Sequence, residues 1–214
     1  MRSENWGELM YLSRVFLDVN DRRTMKALGS PSIIHGALES SFTGGRPHCL
    51  WRIDDLNGKL CILILSEVKP DLTDFCRQFS SGTDAETKNY DGLLDRIVKN
   101  SRWRFRLTAN PTRSLNGKGQ RGKKIAHSTV EHQKRWLTEK AAANGFNIGE
   151  DDFDVVQSKW HRFYKSGDRY VTFLSVTYEG ILEVTDETLF RQALVNGIGR
   201  GKAYGQGMLT VMRI

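Results

Sequence analysis

Residues Asn196–Gly207 read NGIGRGKAYGQG, and the seven residues after them, MLTVMRI (Met208–Ile214), decide between two kinds of fold. Five glycines with Arg200 and Lys202 between them would let backbone amides and two cations approach a phosphate, because glycine accepts positive φ and carries no side chain. A dinucleotide-binding fingerprint opens a helix, whereas Met208–Ile214 reads as a strand. A P-loop requires a hydroxyl residue after its Gly-Lys pair, and here Ala203 follows Gly201-Lys202, with Asn196 where the first glycine should stand. Both nucleotide-cofactor folds are set aside. What remains is a glycine-rich loop before a final strand, serving either a polyanion backbone or close packing.

Working back from that strand, a helix is expected from about Glu187 to Val195, preceded by strands around Phe153–Tyr164 and Tyr170–Val184. Before them, Ser128 with Glu131 forms a capping box for a helix whose apolar positions are Val130, Leu137 and Ala141, ending at Asn144-Gly145. Arg102–Ala109 alternates strictly, with Arg102, Arg104, Arg106 and Thr108 on one face and Trp103, Phe105, Leu107 and Ala109 on the other. The first half follows the same plan. Met10–Val19 reads as a strand, and Ser30 caps a helix with Pro31 in its first turn and Ile34, Leu38 and Phe42 as its buried stripe. Cys49–Ile53 and Leu60–Leu65 pair across a turn containing Asn57-Gly58. A weaker helical region spans Asp71–Val98, interrupted by the polar stretch Ser80–Asn89. Strand, helix, two strands, helix, strand is the split-βαβ pattern. The expectation is therefore an α+β chain of two ferredoxin-like domains, 1–101 and 102–214.

Composition narrows the partner. The chain has 214 residues, 32 Lys and Arg against 25 Asp and Glu, and a net charge of +7, which favours a polyanion. The charge is uneven. Arg102, Arg104, Arg106, Arg113, Lys118, Arg121, Lys123 and Lys124 occur in a stretch without a single Asp or Glu. Arginines on an open sheet face beside a basic segment rich in Gly117, Gly119 and Gly122 read as a nucleic-acid platform with a finger able to enter a deep RNA major groove. Cys49, Cys61 and Cys76 form no metal or redox motif, and His35, His48, His127, His132 and His161 make no HExxH or Cys/His set, so no metal or cofactor is expected. Glu4, Glu8, Arg14 and Asp18 argue against a secretory leader, and no apolar run suits a membrane span. A cytoplasmic protein is expected. Of the histidines, His35 stands about 100° round the helix from Ile34, at the edge of the buried stripe, where a ring can be held and still reach solvent.

Five stretches in order carry a resemblance: MYLSR in the first strand, HGAL in the first helix, RFRLTANPTRS before the basic segment, VTYEGILEVTD, and NGIGRGKAYGQGML at the end. Together they resemble the CasE family, the pre-crRNA endoribonucleases of the type I-E CRISPR Cascade complex. The resemblance runs from Met10 to the C-terminus. It implies tandem ferredoxin-like, RRM-related domains, metal-free cleavage of CRISPR repeat RNA at the 3′ base of its stem-loop, and retention of the crRNA among the other Cascade subunits. It places the active-site histidine at His35 and a groove-inserting hairpin at the basic segment. Some members carry a tyrosine three residues before the histidine, where this chain has Ser32. Tyr204 is a candidate replacement, and Lys202, Arg200 or Lys165 would face the developing phosphate charge. A non-catalytic stem-loop-binding subunit is the alternative reading.

Overall fold

The computed structural model describes residues 9–82, 84–115, 124–165 and 169–214. The chain divides into two compact units, 1–96 with Ala203–Gly205, and 97–202 with 206–214.

The first unit is built from β1 (Tyr11–Phe16), α1 (Arg22–Gly29), α2 (Pro31–Glu39), β2 (Cys49–Leu56), β3 (Lys59–Ser66), α3 (Thr73–Phe79), β4 (Glu86–Asn89) and α4 (Asp91–Leu94). Its antiparallel sheet runs β2-β3-β1-β4, the strand order of a split-βαβ domain. The β2–β3 hairpin closes at Asn57 and Gly58, both with positive φ (56° and 79°), as a two-residue type I′ turn requires. Val15, Trp51, Ile62 and Ile64 from the sheet meet Ile34, Leu38, Phe75 and Phe79 from the helices in one core.

Four details depart from the sequence reading. Ser30 does not cap α2 through its side chain; its hydroxyl instead lies 3.1 Å from that of Ser32. Phe42 lies past the end of α2 at Glu39 and is only partly buried. The polar stretch read as a break between helices contains β4, whose Glu-Thr-Lys-Asn sequence shows no apolar alternation because an edge strand buries little. Helix α1 was unforeseen: it buries only Thr24 and Ala27, and its start is fixed by the Asp21 carboxylate accepting from the Arg23 amide at 2.6 Å.

The second unit comprises β5 (Arg102–Ala109), β6 (Thr112–Ser114), β7 (Lys124–Ala126), α5 (Val130–Ala141), β8 (Phe146–Asn147), β9 (Phe153–Lys165), β10 (Arg169–Val184), α6 (Glu187–Asn196) and β11 (Leu209–Arg213). Its sheet runs β11-β5-β10, with β9 and the short β8 pairing the far side of β10. Trp103, Phe105, Leu107 and Ala109 are buried, while Arg102 and Arg104 are exposed, as the alternation requires. Two expectations for α5 are corrected. The cap is Thr129, whose hydroxyl accepts from the His132 amide, rather than Ser128. Val130 points to solvent at 54% exposure, and the buried face is Gln133, Trp136, Leu137 and Ala141.

His161 on β9 stacks on Phe173 of β10, ring centroids 5.0 Å apart and planes within 9°. Burial first, and then Lys159, lowers its pKa below the usual 6.5. The unfolded chain therefore binds this proton at a higher pH than the folded one, so stability is full above about pH 6.5 and falls as pH drops towards the folded value. Chemical denaturation should show lower stability at about pH 5.5 than at about pH 7.5, with a smaller difference in His161→Phe.

Candidate functional site

On α2, Pro31 fills the first helical turn, where its missing N–H costs nothing, and Ile34 and Leu38 anchor the helix in the core. That anchoring places His35 at the boundary, its side chain 39% exposed, with Nε2 3.6 Å from Glu39 Oε1 one turn on. The same oxygen lies 3.3 Å from Arg46 Nε. Glu39 and Arg46 went unnoticed in the sequence, although the four-residue spacing of His35 and Glu39 is itself a signal of contact on a helix. The carboxylate can orient the imidazole while the ring keeps an open edge for a substrate oxygen. Ser32, three residues before, is engaged with Ser30 rather than with the imidazole.

The glycine loop is a closed structure. Gly197 ends α6 with its amide on the Ala193 carbonyl at 2.9 Å, the Ile198 amide donates to the Gly207 carbonyl at 2.8 Å, and the Gly207 amide donates to the Thr108 carbonyl at 2.6 Å. All five glycines have positive φ, and a Cβ on Gly205 would lie 2.7 Å from the Trp51 ring. Their conformations answer to turns and close approach, which favours packing over an amide cradle. The cations are placed differently: Arg200 is exposed beside a bridge to Asn110, while Lys202 is half-buried in a helical turn over Lys202–Tyr204, where burial lowers its pKa. Tyr204 is partly buried and groups with the first unit, which also holds His35.

The basic block separates into two parts. Arg113 and Lys124 are exposed on the arms of a hairpin, where Thr112–Ser114 pairs with Lys124–Ala126 and Lys124 Nζ donates to Ser114 Oγ. Lys118, Arg121 and Lys123 lie outside the described residues, as does the side chain of Lys165. The β5 arginines meet acids that the local sequence does not contain: Arg102 pairs in register with Glu183, and Arg106 with Glu179, Nε to Oε1 2.9 Å. Arg104 faces Ile181 and Met212 instead. Arg104, Arg106, Glu179, Ile181 and Met212, with Asp154 and Thr210, line a shallow depression of about 550 Å³ on the open sheet face. The stripe is thus partly neutralised at Arg106, while Arg102, Arg104, Arg113, Lys124 and Arg200 are exposed. No three His, Cys, Asp or Glu side chains among the described residues gather as metal ligands.

The family described as CRISPR associated protein matches residues 10–213. A CRISPR-associated endoribonuclease Cse3 from Thermus thermophilus is 25% identical over 217 residues, spanning 94% of this chain and 99% of its own. The structure of Thermus thermophilus Cse3 bound to an RNA representing a pre-cleavage complex superposes with a TM-score of 0.80 at 26% identity, covering 95% of this chain and 99% of that one. A chain of a CRISPR RNA-guided surveillance complex in a pre-nicking state shares the fold, with a TM-score of 0.71 at 24% identity over 95% of this chain and 100% of its own.

Proposed function

The chain belongs to the CRISPR-associated protein family, as a CasE-type member, and on that footing we propose that it is a metal-independent endoribonuclease that cuts CRISPR repeat RNA at the 3′ base of its stem-loop. The observation that carries the reading is the match along nearly the whole chain to an endoribonuclease seen with RNA before cleavage. His35 on its anchored helix supplies the proton-transfer group such a reaction needs.

In the reaction the substrate's own 2′-hydroxyl oxygen attacks the adjacent phosphorus and the bond to the 5′-oxygen breaks. A 2′,3′-cyclic phosphate and a 5′-hydroxyl result, with one proton leaving the 2′-oxygen and one reaching the 5′-oxygen. His35 carries one of these transfers, and Glu39 holds its ring. Lys202, Arg200 or Lys165 balances the charge growing on the phosphoryl oxygens. Ser32 is too short to take a phenol's place, and Tyr204 is the group available for that task. The first unit carries the histidine, and the second carries the hairpin and the glycine loop apart from Ala203–Gly205. The product crRNA stays bound in the cytoplasm with the other Cascade subunits. Incubating the protein with its repeat RNA, with and without EDTA, tests the reading: cleavage in both is expected, and binding without cleavage would leave only a scaffold.

The basic hairpin supplies affinity rather than chemistry. Replacing Arg121, Lys123 and Lys124 together should weaken stem-loop binding and flatten the slope of log affinity against log salt by up to about three phosphate contacts. An unchanged slope in a salt titration would remove this segment from the RNA interface.

A further inference from the structure

The ladder between β10 and β5 stops at Val176 opposite Ala109, so residues 159–165 and 169–175 pair only with each other and run on as a two-stranded ribbon. Its two faces differ. One buries Phe163 and Phe173 with His161 stacked between the strands. The other leaves Trp160 56%, Tyr164 60% and Tyr170 48% exposed, with Arg162 alongside. The Tyr164 and Tyr170 rings stand across the ribbon at 3.7 Å between centroids, and the Arg162 guanidinium lies 4.4 Å over the Tyr170 ring.

We infer that this face is a stacking platform for unpaired nucleotides flanking the RNA stem-loop, an inference that rests on the RNA-processing function proposed above. Cross-strand pairing accounts for Tyr164 on Tyr170 but not for the open indole of Trp160. Every base offers a flat π face to such rings, and stacking of this kind binds single strands with little regard to sequence. The charge points the same way: residues 157–175 contain Lys159, Arg162, Lys165 and Arg169 against the single acid Asp168. Aromatic faces interleaved with cations suit a phosphate-linked strand of unstacked bases, whereas a paired stem hides its base faces and offers them nothing.

The test compares one stem-loop RNA in three forms, blunt or with a uridine-rich unpaired extension on its 5′ or its 3′ side. Wild-type protein should bind one of the extended forms more tightly than the blunt one. Trp160→Ala, and separately Tyr164→Ala with Tyr170→Ala, should lose about 10-fold on that extended RNA and bind blunt RNA as wild type does. Tyr164→Phe with Tyr170→Phe should keep the preference, since the stacking face survives. Should the alanine variants fail to fold, tryptophan emission decides: extended RNA should quench wild type more than Trp160→Phe, and blunt RNA should not. Equal wild-type affinity for all three forms overturns the platform, and so does an equal loss on blunt and extended RNA. Loss of a co-purifying protein without any change in RNA affinity would give the face to a protein partner and also overturns it. If wild type binds no stem-loop at all, it is the RNA-processing function that fails; tight blunt binding with no flank preference removes the platform alone.

Discussion

His35→Ala should lower the rate of RNA cleavage by about 100-fold or more while stem-loop affinity stays within about twofold. The size follows from what a positioned acid or base contributes to a proton transfer in the transition state. The selectivity follows from position. His35 stands on α2 in the first unit, while Arg113 and Lys124, on the hairpin proposed to grip the stem, belong to the second. Ile34 and Leu38 keep α2 in place whatever stands at 35, so loss of the ring should not unfold the helix. Single-turnover cleavage and equilibrium binding, measured on the same RNA, check both halves. A parallel loss of affinity and rate would make His35 a binding residue.

Gly145→Ala should cost about 3 kcal/mol of stability and lower the melting temperature by roughly 10 °C. Gly145 closes the helical turn after α5 with φ +74°, and its carbonyl accepts from the amides of Thr185 and Asp186 at 2.9 and 3.1 Å. A Cβ there would lie 2.4 Å from the Asp186 carbonyl oxygen and 2.6 Å from the Phe190 amide nitrogen, at the start of α6. The left-handed conformation costs about 1–2 kcal/mol for a residue with a side chain, and overpacking against backbone adds about 1–3 kcal/mol. Thermal unfolding of the purified variant measures the sum, and an unchanged melting temperature would mean that the turn and α6 separate freely.

Gly145 also shows what a sequence can disclose. Asn144-Gly145 marked a helix end because only glycine enters the left-handed region without penalty, just as Asn57-Gly58 marked a hairpin. The Arg102–Ala109 alternation declared a half-buried strand on its own. Elements with little to bury left a weaker trace: α1 is eight residues long and hides two of them, and β4 is a polar edge strand without apolar alternation. The candidate site divides along the same line. His35 stood out at the border of an apolar stripe, but Arg46, which reaches Glu39 from outside the helix, obeys no local spacing. Glu179 and Glu183 oppose the β5 arginines through a register set between strands more than seventy residues apart, which the acid-free run around those arginines concealed.

The account stands on the 2′-hydroxyl as nucleophile, and a repeat RNA carrying a single 2′-deoxy nucleotide immediately before the cut tests it most directly. The wild-type protein should bind this RNA as tightly as the all-ribose substrate and leave it uncut, with excess EDTA making no difference to the all-ribose control. Cleavage of the deoxy RNA at the same position would contradict the account, because the attacking oxygen would then have to come from water.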